Sequence, residues 1–143
     1  MKTELHGVPA EFVESVWFDV APLLQMAIDQ AGETDLERTL ARLKSRDQQL
    51  WVAVNEDNDA IVAALTTEVV SYDLRKIVRL VHLGGCDLPE IARHLEWIGE
   101  WALAHGATRI EAYCRPGVTR TLAANGFRKR LDVIEWDLRR KLT

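Results

Sequence analysis

The sequence predicts an α/β (α+β) domain with a mixed, mostly antiparallel central sheet and helices on its faces. Three observations lead to this prediction. The N-terminal third carries apolar residues at helical spacing, the middle changes to strand patterns joined by short turns, and the last third alternates helix and strand. Consecutive strands followed by helix, strand, helix and strand require a mixed sheet that helices cover.

Length and composition favour one domain spanning residues 1–143. The chain has 143 residues, of which 48% are hydrophobic and 28% charged, as is usual for a soluble globular domain. A chain of this length buries roughly 68 to 70% of its unfolded surface, so it needs no disulfide and no structural metal to stay folded. Cys86 and Cys114 are therefore predicted to be reduced thiols.

The charge and hydropathy patterns narrow the range of partners. No apolar run approaches the roughly 20 residues that span a bilayer, and no signal-peptide core is present, so we expect a cytoplasmic protein without a membrane partner. With 22 acidic against 18 basic residues, no binding of nucleic acid is expected. The basic tail, formed by Arg139, Arg140 and Lys141, is interpreted as a solvated chain end rather than a phosphate contact.

The N-terminal third is predicted to be mostly helical after a short strand over residues 1–5. Apolar side chains between residues 12 and 28 lie on one helical face. Pro22 falls where it would break a continuous helix, because proline lacks the N–H that the helix interior needs. We therefore expect two short helices, or one helix interrupted near Asp19, which could cap the second.

A capping box at Thr34 and Glu37 predicts the start of another helix, with leucines at helical spacing on its buried side. The middle of the chain then reads as two consecutive hairpins, because apolar stretches alternate with short polar turns. Their strands are predicted over residues 50–54, 60–70 and 76–83.

The last third returns to helical spacing. Asp87 is positioned to cap a helix over residues 88–105, with Glu90 three residues later, and Gly106 is positioned to end it. Three further elements complete the predicted fold. They are a strand over residues 108–114, a short helix over 117–124 and a last extended segment over 127–138.

Several short sequence elements occur in an order that resembles the GNAT (Gcn5-related N-acetyltransferase) superfamily. They are a Leu-Trp-Val-Ala strand at 50–53, a Thr-Glu pair at 67–68, a His-Leu-Gly-Gly turn at 82–85, a Trp-Ala-X-X-X-Gly helix end at 101–106 and a Gly-Phe pair at 126–127. The order is similar in particular to that of short GNAT-like proteins encoded by tailed bacteriophages. The resemblance implies that the strands over 76–83 and 108–114 run parallel and splay apart, and that acetyl-CoA or a related acyl-CoA lies in the splay.

The resemblance also implies which residues contact the cofactor. These residues are Leu80, Val81, His82, Leu83, Gly84, Gly85 and Cys86. The Gly-rich, Arg-containing phosphate loop expected of the family is missing, and a carboxylate at Asp87 would occupy the helix N-terminus and repel phosphates. The alternative interpretation of Gly84 and Gly85 is a bulge or tight turn at the end of a strand.

Acylation of an amine needs a base, because only the free amine attacks a thioester. Glu68 is the leading candidate for the base, since it lies near the hairpin that faces the substrate side, and Glu111 and His82 follow. Glu68 can equally be an exposed charge on a strand. His82 can equally be a partly buried imidazole with satisfied hydrogen bonds.

The acid that protonates the leaving thiolate is less clear from the sequence. Leu122 stands where the family often has a tyrosine, and a hydrocarbon side chain cannot give a proton. The role would fall to Tyr113, to a water or to Cys114, although a small buried thiol is the usual alternative for a lone cysteine. The two cysteines and four histidines lack the paired spacings of a zinc site, so no metal is predicted.

Two classes of function follow from these observations. The first is an N-acyltransferase that modifies a small-molecule or protein amine. The second is a catalytically inactive GNAT-fold protein with a binding or structural role, such as a phage virion or assembly component. A stripe formed by His94, Trp97, Trp101 and His105 beside the apolar helix face could serve either helix packing or a subunit contact in a homo-oligomer or virion.

Overall fold

The computed structural model describes residues 1–85 and 87–140, without the side chain of Arg140. The predicted cofactor contact Cys86 and the tail residue Lys141 lie outside the described residues. Five strands form one sheet in the order β1-β2-β3-β4-β5. The strands are β1 (Thr3–Val8), β2 (Gln49–Asn55), β3 (Ile61–Ser71), β4 (Lys76–Gly85) and β5 (Ile110–Ala112).

Helices cover both faces of this sheet, as the sequence predicts. The helices are α1 (Val13–Ala31), α2 (Leu36–Lys44), α3 (Leu88–Ala92), α4 (Leu95–Ala104) and α5 (Pro116–Ala123). The first four strands pair antiparallel, and β4 pairs parallel with β5 after a crossover through α3 and α4. The mixed, mostly antiparallel sheet with a parallel pair is confirmed.

Each face of the sheet has its own apolar core. One core lies under α3, α4 and α5 and contains Trp51, Leu65, Val78, Ile91 and Ile98. The other lies under α1 and α2 and contains Val20, Leu24, Ile28, Leu50 and Val52. In β2, Trp51 and Val52 therefore belong to opposite cores, as the alternation of side chains along a strand requires.

The prediction of a break near Pro22 is wrong, because α1 is a single helix with Pro22 inside it. Proline in a helix interior costs about 3 kcal/mol. Buried side chains along α1 offset that cost, since each large aliphatic group contributes about 1.5 to 3 kcal/mol on burial. Pro22 itself is exposed, so the carbonyl that loses its partner lies on the solvent side of the helix.

The helix α2 is capped one residue later than predicted. Asp35, rather than Thr34, is the N-cap, and its Oδ1 accepts the backbone N–H of Arg38 at 2.8 Å. The hydroxyl of Thr34 instead accepts a hydrogen bond from Arg42 at 3.1 Å. The prediction that a helix starts here is confirmed, but the reciprocal capping box with Glu37 does not form.

The predicted crossover helix over residues 88–105 is two helices, α3 and α4, with a break at Arg93 and His94. The side chain of Thr3 bridges this break, because its hydroxyl lies 2.9 Å from both Glu90 Oε1 and His94 Nε2. A contact between residues so far apart in sequence could not be predicted from local spacing. Gly106 follows the end of α4 with a φ of 82°, as predicted for its position.

The C-terminal part departs most from the sequence-based expectation. β5 has only three paired residues, and the described residues 128–137 form no strand. Apolar alternation permits a strand there, but a strand needs a partner edge, and the described part of this segment joins no ladder. Its apolar side chains are exposed. They are Leu131, Val133, Ile134, Trp136 and Leu138.

Candidate functional site

A wedge opens between the two parallel strands. β4 and β5 pair only from Val78 to Leu80 and from Ile110 to Ala112, and beyond these residues they diverge. A cavity of about 330 Å³ lies in the opening, bounded by α1 on one side and by α3 and α5 on the other. The strands are thus not paired along their full length, and the space between their ends is open.

Six of the seven predicted cofactor contacts line this wedge. They are Leu80, Val81, His82, Leu83, Gly84 and Gly85. The helix α1 adds Ala27, Gln30 and Ala31 to the wall, which the sequence did not indicate. The lining is mostly apolar side chains and backbone.

A bulge in β4 changes which way His82 points. Thr67 pairs with Leu80 but Thr66 pairs with His82, so Val81 is an extra residue in β4. The side chain of His82 therefore lies on the α1 and α2 face, rather than on the Leu80 face that the sequence alternation indicated. The backbone N–H of His82 donates to the hydroxyl of Thr66 at 3.2 Å.

The two glycines at the end of β4 have packing reasons of their own. A Cβ at Gly84 would lie 1.8 Å from the carbonyl oxygen of Leu23, because α1 crosses directly over this residue. Gly85 has a φ of 127°, and a Cβ there would lie 2.5 Å from the Cα of Ala63. The alternative interpretation of these glycines as structural is thus sufficient to explain them.

Two side chains of opposite charge lie where α3 and α5 begin, Asp87 and Arg115. Asp87 caps α3, and its Oδ1 accepts the N–H of Glu90 at 3.4 Å, so the carboxylate occupies this helix end as predicted. Arg115 lines the wedge where α5 begins, and its side chain is exposed. Among the described residues that line the wedge, it is the one with a permanent positive charge. Sequence reasoning missed it, although it is the first basic residue after β5.

A second cavity, of about 580 Å³, lies at the ends of β1 and β2. β2 begins at Gln49, opposite Thr67, whereas β3 continues to Ser71, so the β3–β4 hairpin extends past its neighbours. The loop between α2 and β2 and the end of α4 complete the walls. Glu68 lies on the wall formed by β3.

Glu68 is one member of a row of charged side chains across three strands. Arg79 on β4 lies opposite Glu68 on β3 and Glu111 on β5, at 3.6 Å and 3.9 Å respectively. The amide Nε2 of Gln48 donates to the other oxygen of Glu68 at 3.4 Å. Both contacts to Glu68 are long, so its carboxylate retains capacity to accept further hydrogen bonds.

His82 is buried, with 7% of its surface exposed. Burial lowers the pKa of the imidazole below 6.5, the positive charge of Arg42 lowers it further, and the negative charge of Glu68 opposes the shift. The shift favours the neutral imidazole, which can accept a proton. Thr66, which pairs with His82, lies two residues from Glu68 on β3, so Glu68 and His82 are on the same face of the sheet.

Three buried side-chain atoms in the described part of the chain have no hydrogen-bond partner. They are Oε1 of Gln48, Nε of Arg79 and Nδ1 of His82. All three side chains lie around Glu68: two contact it directly, and its charge acts on the third. Such atoms are costly to bury, and their concentration at one place is typical of a site that binds a polar group.

Comparison with known proteins agrees with this geometry. No protein-family model and no curated protein matches the sequence, but many solved structures share the fold. A predicted acetyltransferase from Clostridium acetobutylicum, solved with acetyl-CoA, has a TM-score of 0.68 at 10% identity over 95% of this chain and 96% of its own. An aminoglycoside acetyltransferase from an uncultured soil metagenomic sample has a TM-score of 0.69 at 16% identity over 96% and 98%. The glucosamine-6-phosphate N-acetyltransferase of Arabidopsis thaliana has a TM-score of 0.65 at 10% identity over 96% and 99%.

The chain has the GNAT fold. The likeness spans nearly the whole length of this chain and of each of these neighbours. Their names describe acetyltransferases, which is the activity class that the sequence resemblance implied. At these identities the likeness establishes architecture, and the activity must be argued from the site.

The remaining candidates for the base and the acid occupy different surroundings in this GNAT fold. Glu111 is already bound by Arg109, whose Nη2 lies 2.5 Å away, and by the hydroxyl of Tyr72 at 3.3 Å. Tyr113 lines the wedge, and its ring lies 5.0 Å below the guanidinium of Arg79. Leu122 also lines the wedge and is buried, and its hydrocarbon side chain can give no proton.

Cys114 also lines the wedge, but it is an exposed free thiol and not the small buried thiol that the alternative assumed. Its sulfur lies 3.2 Å from the hydroxyl of Thr119 on α5. The residue follows a three-residue strand, so it has already left the sheet. In the described residues no group of three His, Cys, Asp or Glu side chains is arranged to hold a metal ion.

Most residues of the aromatic stripe on α4 contact other residues of this chain. Trp101 packs edge-to-face on Trp51, with ring centroids 5.4 Å apart, and also contacts His105 at 4.4 Å. His94 bonds to Thr3 across the break between α3 and α4. Trp97 is 57% exposed, so a subunit contact through it stays a prediction.

Proposed function

We propose that this chain is an N-acyltransferase that moves an acetyl or related acyl group from acyl-CoA to an amine. The observation that carries the proposal is the relation of the two cavities. His82 lines the wedge, Glu68 lines the second cavity, and Glu68 lies two residues along β3 from Thr66, the residue that pairs with His82. A thioester in the wedge and an amine in the second cavity would therefore meet at the bulge of β4.

The wedge suits the pantetheine arm of a CoA thioester, which supplies the acyl group when bound. Its lining from Leu80 to Gly85 offers strand backbone for hydrogen bonding and apolar contacts for the arm. The bulge takes Val81 out of the ladder, and its N–H is proposed to polarise the acyl carbonyl. Arg115 at the mouth is proposed to pair with phosphate, in place of the missing phosphate loop.

Proton transfer is assigned to residues on the walls of the two cavities. The neutral imidazole of His82 is proposed to accept the proton of the acceptor ammonium, and Glu68 to stabilise the charge that His82 gains. Glu111 is a weaker candidate, since Arg109 already binds its carboxylate. Tyr113, which lines the wedge, is proposed to return a proton to the leaving thiolate.

The open wedge weighs against the alternative of an inactive scaffold, because such a protein would need no gap between β4 and β5. The second cavity is enclosed on several sides, which suits an acceptor amine carried by a small molecule. Some structural neighbours are described as aminoglycoside acetyltransferases, one in complex with sisomicin.

A phage source, a cytoplasmic location and contacts in a virion or oligomer stay predictions. Among the described residues, no helix has both the length and the apolar composition that crossing a bilayer requires.

Incubation of the protein with acetyl-CoA and a panel of primary amines tests the proposal, with acylated products detected by mass spectrometry. Replacing His82 or Glu68 by glutamine should lower kcat by about 10² to 10⁴-fold, the usual effect of losing an acid or base. Glu37→Gln, which removes an exposed charge on α2, is the matched control and should leave the rate unchanged. Absence of any acylated amine, or equal rates for all variants, would contradict the proposal.

A further inference from the structure

The cavity that holds Glu68 carries more negative charge than one reacting ammonium needs. Its charged lining consists of Glu11, Asp47 and Glu68 against a single guanidinium, that of Arg46. Arg46 is already engaged, since its Nη2 lies 3.5 Å from Glu11. Asp47 forms no ion pair among the described residues, and Glu68 has one long ion pair, with Arg79 at 3.6 Å, so two separate carboxylates on the wall of one cavity keep acceptor capacity.

Gln48 connects the charge pattern to a buried acceptor atom. The residue is 7% exposed, its Nε2 donates to Glu68, and its Oε1 has no partner in the described part of the chain. The Oε1 atom can only accept, so it requires a donor. An ammonium group beside Glu68 has three N–H donors, which is enough for the carboxylate and for this oxygen together.

Asp47 stands next to Gln48 in sequence but at the exposed end of the cavity. Its Oδ2 accepts one hydrogen bond, from the hydroxyl of Ser45 at 2.8 Å. An ionised carboxylate has about four acceptor sites, so Asp47 keeps most of its capacity. Adjacent residues thus provide one buried acceptor for a first nitrogen and one exposed anion for a second.

We infer that the acceptor substrate is a small diamine or polyamine, whose first ammonium lies between Gln48 and Glu68 and whose second pairs with Asp47. This inference rests on the proposed function, because it assigns the acceptor of that same transfer. In this arrangement Gln48 is a positioning residue, since it fixes the nitrogen beside Glu68 and exchanges no proton itself. Asp47 determines the preference for a second positive charge.

Calorimetric titration of the full chain with putrescine and with n-butylamine, without acyl-CoA, tests the inference. In about 10 mM salt, where charges act over about 30 Å, putrescine should bind at least about tenfold more tightly. Asp47→Asn should bring the two affinities together. Asp57→Asn removes an equal charge from the turn between β2 and β3, away from the cavity, and should preserve the preference.

Gln48→Met keeps the shape of the side chain and removes both polar groups. It should weaken binding of both amines by about tenfold or more, since the ammonium loses its hydrogen bond to the buried amide oxygen. Equal affinity for the two amines, a preference that survives Asp47→Asn, or no binding of either amine would overturn the inference. Transfer of an acyl group to n-butylamine as efficiently as to putrescine would also overturn it while leaving the transferase function intact. Binding of putrescine without any acyl transfer would overturn the transferase function and leave only the diamine-binding site.

Discussion

His82 combines burial, an unpaired ring nitrogen and a position beside the bulge of β4. Its environment favours the neutral form, because burial and the charge of Arg42 both lower its pKa. The unfolded chain takes up a proton near pH 6.5, whereas the folded chain takes it up only at lower pH. Between these two pKa values the unfolded state binds more protons, so the free energy of unfolding falls as the pH falls.

His82→Gln should therefore flatten the pH dependence of stability. As the pH drops below 6.5, the wild-type chain should lose more stability than the variant, and above that pH the two curves should run parallel. Urea denaturation at several pH values measures this difference. Glu90, whose pKa Arg93 and Thr3 hold at about 2, titrates at lower pH and does not confuse the result. Parallel curves below pH 6.5 would show that the burial of His82 has no energetic consequence.

Arg115 gives a second prediction at the residue scale. If its guanidinium pairs with phosphate at the mouth of the wedge, Arg115→Gln should weaken acetyl-CoA binding about tenfold or more at low salt. The loss should shrink at about 1 M salt, where charges act over only about 3 Å. Arg120→Gln on the same helix, outside the wedge lining, is the control. Equal losses of acetyl-CoA affinity in both variants, measured by calorimetry, would show general charge attraction and contradict a specific contact between Arg115 and phosphate.

The site residues differ in how far the sequence could reveal them. Glu68 became a candidate because it lies near the hairpin on the substrate side, and His82 because it interrupts an apolar strand. Gln48 and Arg79 were missed because their importance depends on strand register and on a loop, which no local pattern encodes. Arg79 and His82 are three residues apart, a spacing that predicts opposite strand faces, and only the bulge at Val81 brings both to one face.

At the scale of elements, the packing of α1 against β4 forms one wall of the wedge. Gly84 permits it, because the carbonyl oxygen of Leu23 occupies the place of a side chain. Gly84→Ala should lower the free energy of unfolding by about 3 kcal/mol, since the clash is with backbone, which cannot turn away. Chemical denaturation measures the change, and a loss below about 1 kcal/mol would contradict this packing account.

Gly99 provides the matched control for that substitution. It lies within α4, and a Cβ there would meet only the end of Ile110 at 4.0 Å, an ordinary contact. Gly99→Ala should raise the free energy of unfolding by about 0.5 to 1 kcal/mol, because alanine favours a helix. The two alanine variants should thus shift stability in opposite directions.

Elements with strong local signals were predicted well. The two hairpins follow from alternation and polar turns, and Asp87 caps α3 as its spacing to Glu90 indicated. The continuity of α1 through Pro22 and the break between α3 and α4 were not predicted. Both depend on contacts with distant parts of the chain, the first on burial against the sheet and the second on Thr3.

At the scale of the whole molecule, one cavity lies between β4 and β5 and the other at the ends of β1 and β2. The sheet order and the crossover through α3 and α4 make β4 and β5 parallel neighbours, and their short pairing leaves the wedge open. The order of elements predicted this architecture. The short β5 and the exposed C-terminal segment were not predicted, because apolar alternation does not specify whether an edge is available.

The central claim is that the wedge between β4 and β5 binds the arm of an acyl thioester, and calorimetric titration with acetyl-CoA tests it most directly. Ala31 is an exposed residue at the end of α1 that lines the wedge, so Ala31→Trp should obstruct it without disturbing a core. Met26→Trp, on an exposed part of α1 outside the wedge lining, is the matched control. The account predicts binding to the wild-type and Met26→Trp proteins and its loss in Ala31→Trp. No heat of binding to the wild-type protein, or equal binding by both tryptophan variants, would contradict it.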